Sequence, residues 1–364
     1  MKQYIIVGLI VVAGIATAWV VIGTLLSGGP KLGERYSTPE GVYDCYVLTS
    51  ESLVNSVSFP KVKNDYGAFP LPFPAAAYEG TREFLGFRFR IGIYEMEPTD
   101  ARIAAEAAFE LIQDITERVD VTNASSEISR INREAPKGAV KLSDEFFHII
   151  KRAMEVSEKS DGAFDITSGP LRWLWEDYAE RGLSPSRDDT HAAVSKIGYR
   201  FVNLDEDEKT IRFTRKDVLI DLHDLIRGFI CDDVAWFLRK EKNIRKGFIS
   251  VDDNCFYLLG HPRGELFTMG VPDAGGKLRY TFVCDRVAVV TRGYFKKLRG
   301  VRDVDRFFSG IVNPKTGTSA NSIASCTVIG PDAMSCEAIA TAICVQGGSR
   351  VRRFIEKFNP DRGQ

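Results

Sequence analysis

Residues 309 to 347, SGIVNPKTGTSANSIASCTVIGPDAMSCEAIATAICVQG, admit few folds, because one run spells out a turn, a strand and a helix. Asn313, Pro314, Lys315, Thr316 and Gly317 form the turn, since proline presets one backbone angle and glycine permits the reversal. Ser325 to Ile329 alternates and is rich in β-branched residues, which predicts a strand. Pro331 and Asp332 end it, Asp332 can cap the helix that follows, and Gly347 and Gly348 supply its stop. On that helix Glu337 and Thr341 stand four apart, so a carboxylate and a hydroxyl share one ridge. Two hard oxygen donors so placed can hold Mg²⁺, whereas the plainer reading is a solvated Glu beside a Thr bonded to its own backbone.

The run resembles the C-terminal signature of the ApbE family, the Mg²⁺-dependent FAD:protein FMN transferases: a PxTG turn, a strand, then A-M-x-x-[DE]-x-x-x-T on a helix. Here these are NPKTG, TVIGP and AMSCEAIAT. A second stretch, DGAFDITSGPLRWLW (161 to 175), is similar to the family's GAFDxTxGPL segment near the flavin nucleotide, which implies Asp165 and Thr167 as cofactor contacts. Read alone, Asp165-Ile166-Thr167 is a turn and a helix cap. The resemblance covers roughly residues 84 to 350 in the family's order of motifs, and implies an α+β fold of T-fold-type mixed sheets with packed helices.

Further motifs match with changes. The family's glycine-containing loop, DLGGIAKG-like, stands here as Asp221-Leu222-His223-Asp224-Leu225-Ile226-Arg227-Gly228, a sharp loop leading into a helix whose Phe229, Val234, Ala235 and Leu238 face inward. N-x-G-G-D becomes Ser250-Val251-Asp252-Asp253-Asn254, and T-S-G-D becomes Thr291-Arg292-Gly293-Tyr294. Three acids therefore crowd a region that the resemblance assigns to a pyrophosphate, and like charges at contact distance repel. Arg227 and Arg292 are there to offset the acids or to fill the site. Before the PxTG turn the family's H-x-x-D is Gly310-Ile311-Val312-Asn313, so the imidazole and carboxylate of a general base are both missing. By resemblance, the remaining cofactor contacts fall on Asp221, Arg227, Thr291, Arg292, Ile311 and Thr316, and the Mg²⁺ ligands on Asp224, Glu337 and Thr341. No residue is assigned a catalytic role.

The rest of the chain reads in order. From Tyr4 to Leu26 no residue is charged, a run long enough to cross a bilayer as a helix, and no cysteine there invites lipid attachment. Residues 1–30 are thus an anchor and its exit, and the resemblance implies an extracytoplasmic (periplasmic) domain at 84–364. Residues 31–83 form a Pro- and aromatic-rich linker or docking segment with a short strand at YDCYVLTS. Phe87, Phe89, Ile91 and Ile93 alternate as a strand, Asp100 to Val119 carries helical spacing with Asp100 as cap, and a helix follows at 143–159. Residues 199 to 220 predict a hairpin with NLDEDEKT as its turn and IRFT and VLID as strand, GFISVDDNCFYLLG a strand pair, residues 266 to 290 two strands, and TRGYF the start of a short helix. Arg350 to Lys357 is a basic amphipathic tail.

A formal net charge of −1 over 364 residues leaves no basic face for nucleic acid. The seven cysteines form no CxxC or metal spacing, and most sit in apolar strands or helices as small hydrophobes. Two functions follow from the resemblance. One is a membrane-anchored scaffold or accessory subunit of a membrane complex that keeps the fold but not efficient flavin transfer. The other is an active Mg²⁺-dependent enzyme that moves FMN from FAD to Ser or Thr of a redox partner protein.

Overall fold

The computed structural model describes residues 73–272, 278–293, 308, 310–320 and 323–347, together with short backbone strands nearer the N-terminus. Seven strands carry the central sheet: β1 (Tyr43–Leu48), β2 (Tyr78–Phe84), β3 (Phe87–Ile93), β4 (Gly247–Val251), β5 (Cys255–Gly260), β6 (Ala288–Arg292) and β7 (Ile323–Gly330), with the two residues Val20–Val21 at one edge. The order across the sheet is Val20–Val21, β1, β7, β6, β5, β4, β3, β2, and every pairing is antiparallel except β7 with β1. Helices α1 (Pro98–Val119), α2 (Glu127–Glu134), α3 (Asp144–Lys159), α4 (Gly169–Glu180), α5 (Arg187–Val194), α6 (His223–Lys240) and α7 (Ala333–Gln346) complete the α+β domain.

Both faces of the sheet are covered, which is why its central strands read as unbroken apolar runs. Along β5, Cys255 and Leu259 point into the main core with the buried residues of α1, α6 and α7, while Phe256 and Leu258 point into a second cluster with Phe248, Phe267 and Phe282. That second face is closed by the antiparallel pair Phe267–Pro272 and Leu278–Cys284.

Several sequence expectations hold. Phe89, Ile91 and Ile93 are fully buried on β3, YDCYVL is strand β1, and the helix expected at 143–159 is α3, whose first turn Ser143 caps by accepting from the Phe146 amide. Others shift for identifiable reasons. Helix α1 begins at Pro98 rather than at an Asp100 cap, because proline suits the first helical turn, where an amide would have no partner. The segment VLID joins no ladder: Ile220 exchanges both backbone bonds with the Asn132 side chain (2.8 and 2.9 Å). The hairpin expected around NLDEDEKT is present, with Thr210–Phe213 paired to Val202–Asp205 and, on its other side, to Val140–Lys141. Residues 223–228 are helix, not loop, so Asp224 and Arg227 ride on the first turns of α6. Thr291 and Arg292 end a strand; the helix expected beyond Gly293 and the tail at 350–357 lie outside the described residues. Within the apolar run 4–26 the described pieces are the short strands Ile5–Val7, Val20–Val21 and Gly23–Leu25, and the rest lies outside. Among the described residues no helix is long and apolar enough to cross a membrane.

Candidate functional site

The site lies where α6 crosses the start of α7. Gly228 makes the crossing feasible: a Cβ there would fall 2.4 Å from the carbonyl oxygen of Ala333. The first amides of α7 have no helical partners, and carboxylates take them instead. Asp332 accepts from the Ser335 amide (2.8 Å), as its sequence position implied, while Asp232 of α6 accepts from Ala333 (2.7 Å) and Met334 (2.9 Å). Burial pushes the Asp232 carboxyl well above the usual range, the charge of Asp332 adds to this, and the two amides pull the other way. At the far end Gly347 accepts the left-handed turn (φ +76°) that stops α7.

This clamping fixes the ridge of α7 that carries Glu337 and Thr341. Glu337 is completely buried, and Thr341 is 3% exposed with no hydrogen-bond partner for its Oγ1. Both Glu337 oxygens are engaged: Oε1 accepts from Arg227 Nε at 2.6 Å and Oε2 from the Gly228 amide at 2.8 Å. Arg292, from the end of β6, spans the two acids, with Nη2 2.6 Å from Asp224 Oδ1 and Nη1 3.5 Å from Glu337 Oε1. Arg227 also donates to Asn254 Oδ1 (2.9 Å) and comes within 3.7 Å of Asp252. Burial works against the Arg227 charge, but Glu337, Cys255 and Asp252 together outweigh it and hold the guanidinium above its ordinary value. For Asp224 burial dominates and raises the carboxyl, although Arg292 and Arg172 favour its charged form.

A second ion-pair group adjoins the first. The buried Arg172 of α4 bonds Asp221 and grips both oxygens of Glu176 (2.6 and 2.7 Å). Asp221 is tied back through its amide to the Ile166 carbonyl (2.8 Å), between Asp165 and Thr167. Those two residues are spent on local architecture rather than on a helix cap. Asp165 accepts from the Thr167 amide and hydroxyl (2.9 and 2.6 Å) and from the Tyr199 amide (2.8 Å), and Thr167 accepts from the Gly198 amide (2.7 Å). Burial raises the Asp165 carboxyl in spite of these bonds.

The acids expected to repel one another are each matched by a cation. Asp253 takes Arg88 (2.6 Å) and Arg90 (2.8 Å), Asp252 faces Arg227, and Asp224 holds Arg292. The remaining expected cofactor contacts lie apart from this group or turn inward. Thr291 bonds Thr327 across the sheet (2.9 Å), Ile311 is buried, and the exposed Thr316 sits at the tip of the predicted turn, bonded to Thr318 (2.8 Å). That turn is closed by Asn313 and docks on α4, where Trp175 donates to the Gly317 carbonyl (2.9 Å). The participants not foreseen are Arg172, Glu176, Arg88, Arg90 and Asp232, and Asn254 was placed in its stretch without a role. Arg172 alone carried a local signal, its spacing of four from Glu176 on a helix.

As a divalent-metal site the donor set does not fit in this arrangement. Asp224 and Glu337 spend oxygens on guanidinium groups, and among the described residues no cluster of three His, Cys, Asp or Glu side chains could hold an ion.

The profile of the ApbE family matches residues 85–362. Among characterised relatives, the chain is 23% identical over 303 residues to the FAD:protein FMN transferase of Treponema pallidum, covering 77% of this chain and 82% of that one. It is 27% identical over 234 residues to the enzyme of the same name from Klebsiella pneumoniae, covering 63% and 71%. Among solved structures, the ApbE protein of Thermotoga maritima superposes with a TM-score of 0.68 at 28% identity, over 79% of this chain and 92% of that one. The flavin transferase ApbE of Vibrio cholerae shares the fold at a TM-score of 0.66 and 20% identity, over 76% and 89%.

Proposed function

Because this chain belongs to the ApbE family, whose relatives are flavin transferases, we propose that it retains their framework as an accessory or scaffold subunit of a membrane redox complex and does not transfer FMN efficiently. The observation that carries this reading is the pairing of Asp224 with Arg292 and of Glu337 with Arg227, which commits the site's charges to one another. A dinucleotide entering there would have to compete with internal ion pairs for the same guanidinium groups, and it would meet Asp252 and Asp253 as well. The loss of a base before the 313–317 turn points the same way: Asn313 is neutral and its amide oxygen already accepts from Lys315 and Thr316. Anchoring through residues 4–26, with the domain outside the cytoplasm, completes the proposal; its support is the charge-free length of that run.

The active reading takes its support from the relatives' named activity. In that reading FMN passes from FAD to a Ser or Thr of a redox protein. The two are separated by adding FAD and Mg²⁺ to the purified full chain with an acceptor protein and following flavin fluorescence and acceptor mass. No quenching and no mass increase is the expected result. Covalent FMN on the acceptor would overturn the proposal. Alkaline extraction of membranes tests the anchor, and release of the chain with peripheral proteins would sink that part alone.

A further inference from the structure

We infer that Arg227 and Arg292 are a built-in replacement for a divalent cation, so that the oxygen-donor cluster on α6 and α7 is neutralised by the chain itself and takes no metal. Three side chains on these helices, Asp224, Glu337 and Thr341, are the hard oxygen donors that a small dication would draw together. A dication brings two positive charges; the two guanidiniums bring the same, delivered from two different elements, α6 and the end of β6. Their placement is bridging. Arg292 reaches Asp224 with one nitrogen and Glu337 with another, and Arg227 meets the same Glu337 oxygen from the other side.

Thr341 is the one donor of the three that the arginines leave unserved. Its buried hydroxyl oxygen has no hydrogen-bond partner, and Nε of Arg292 is likewise buried without one. A metal bonds a hydroxyl oxygen directly and would leave none behind, whereas a planar guanidinium donates along fixed directions and satisfies only the acceptors in its fork. The two charged acceptors are served and the neutral one is omitted. This inference is separate from the question of transfer activity: a metal-free cluster is compatible with an active or an inactive protein, and its test measures metal rather than flavin.

The full chain is titrated with Mn²⁺, which takes the same oxygen ligands as Mg²⁺, while the free Mn²⁺ signal is followed by electron paramagnetic resonance. The expected result is no depletion up to ~1 mM Mn²⁺ and a melting temperature equal in MgCl₂ and in EDTA, because a ligand that does not bind the folded state adds nothing to its stability. Arg292→Ser releases Asp224 and one contact of Glu337, and should strengthen Mn²⁺ binding by at least ~10-fold, which is ~1.4 kcal/mol. Depletion of Mn²⁺ by the unmodified chain, with a melting temperature lowered by EDTA, would overturn the inference. So would an Arg292→Ser protein of unchanged circular dichroism that remains blind to Mn²⁺. If that variant does not fold, the unmodified chain's titration decides alone.

Discussion

Two acid-bearing places in this molecule were neutralised by arginine, and they differ in what that costs to undo. At the β4–β5 turn, Asp252 and Asp253 face solvent in part; Arg88, which is half-exposed, and Arg90 reach them from β3. At the α6–α7 crossing, Glu337 is 0% exposed and its partner Arg227 4%. The first arrangement keeps partial contact with water; the second has almost none. Exposed ion pairs contribute little, whereas removing one member of a buried pair strands a charge in low dielectric. Arginine pairing therefore adds little at the β4–β5 turn and is a condition of folding at the α6–α7 crossing.

Arg227→Met breaks the comparison most severely. It keeps the volume and removes the charge, leaving Glu337 with the Gly228 amide and the longer Arg292 contact. The expected loss is ~3–5 kcal/mol of unfolding free energy by urea denaturation. Adding Glu337→Met should restore most of it, since the pair removed together leaves no stranded charge. A loss below ~1 kcal/mol for the single variant would mean the buried pair behaves like the surface one.

Asp232→Ala comes next. It removes two acceptors from the start of α7, and the expected cost is ~2 kcal/mol, at the upper end for a helix cap because the amides it serves are held inside the α6–α7 contact. Amide hydrogen exchange at Ala333 and Met334 should rise first. Equal protection in variant and parent would show that water replaces the carboxylate there.

At the surface turn, Asp253→Gly should change stability by less than ~1 kcal/mol. Asp252 and Asp253, in the three-residue loop between Val251 and Cys255, both hold positive φ (52° and 54°), a conformation that glycine adopts freely. Relief of that strain offsets the loss of the contacts with Arg88 and Arg90. A loss above ~2 kcal/mol would place this turn in the same class as Glu337.

The same contrast explains what the sequence could and could not reveal. Elements built from local periodicity were legible: the alternation at Phe87–Ile93, the Asp332 cap and Gly347 stop of α7, and the turn closed by Asn313. Each is decided within a few residues. Where a long-range partner wins, local reading failed. VLID has strand-like composition, yet Asn132, 88 residues away, takes its backbone bonds. The acids at 224, 252 and 253 looked mutually repulsive because their partners are up to 165 residues distant, and only the sheet order brings Arg88, Arg90 and Arg292 beside them. The positions expected to hold a metal could be named by motif; the arginines bonded to them were visible as residues but not as partners.

Asp233 tests the contrast at its mildest, since it is a half-buried acid next to the fully engaged Asp232. Burial raises its carboxyl from the ordinary range to about 6, the charge of Glu145 adds to the shift, and Arg118 opposes it. Its folded-state value thus lies above the unfolded value of ~3.9, so the folded chain binds the extra proton. That contribution is fully present below pH ~4 and is lost as pH rises through about 6. Stability should decline across this window relative to Asp233→Asn, and the difference between the two proteins should be flat above pH ~7. Solvent access keeps the effect smaller than those above. Parallel stability–pH curves between pH ~4 and ~7 would show that partial burial alone, without a tightly held partner, does not set protonation in this domain.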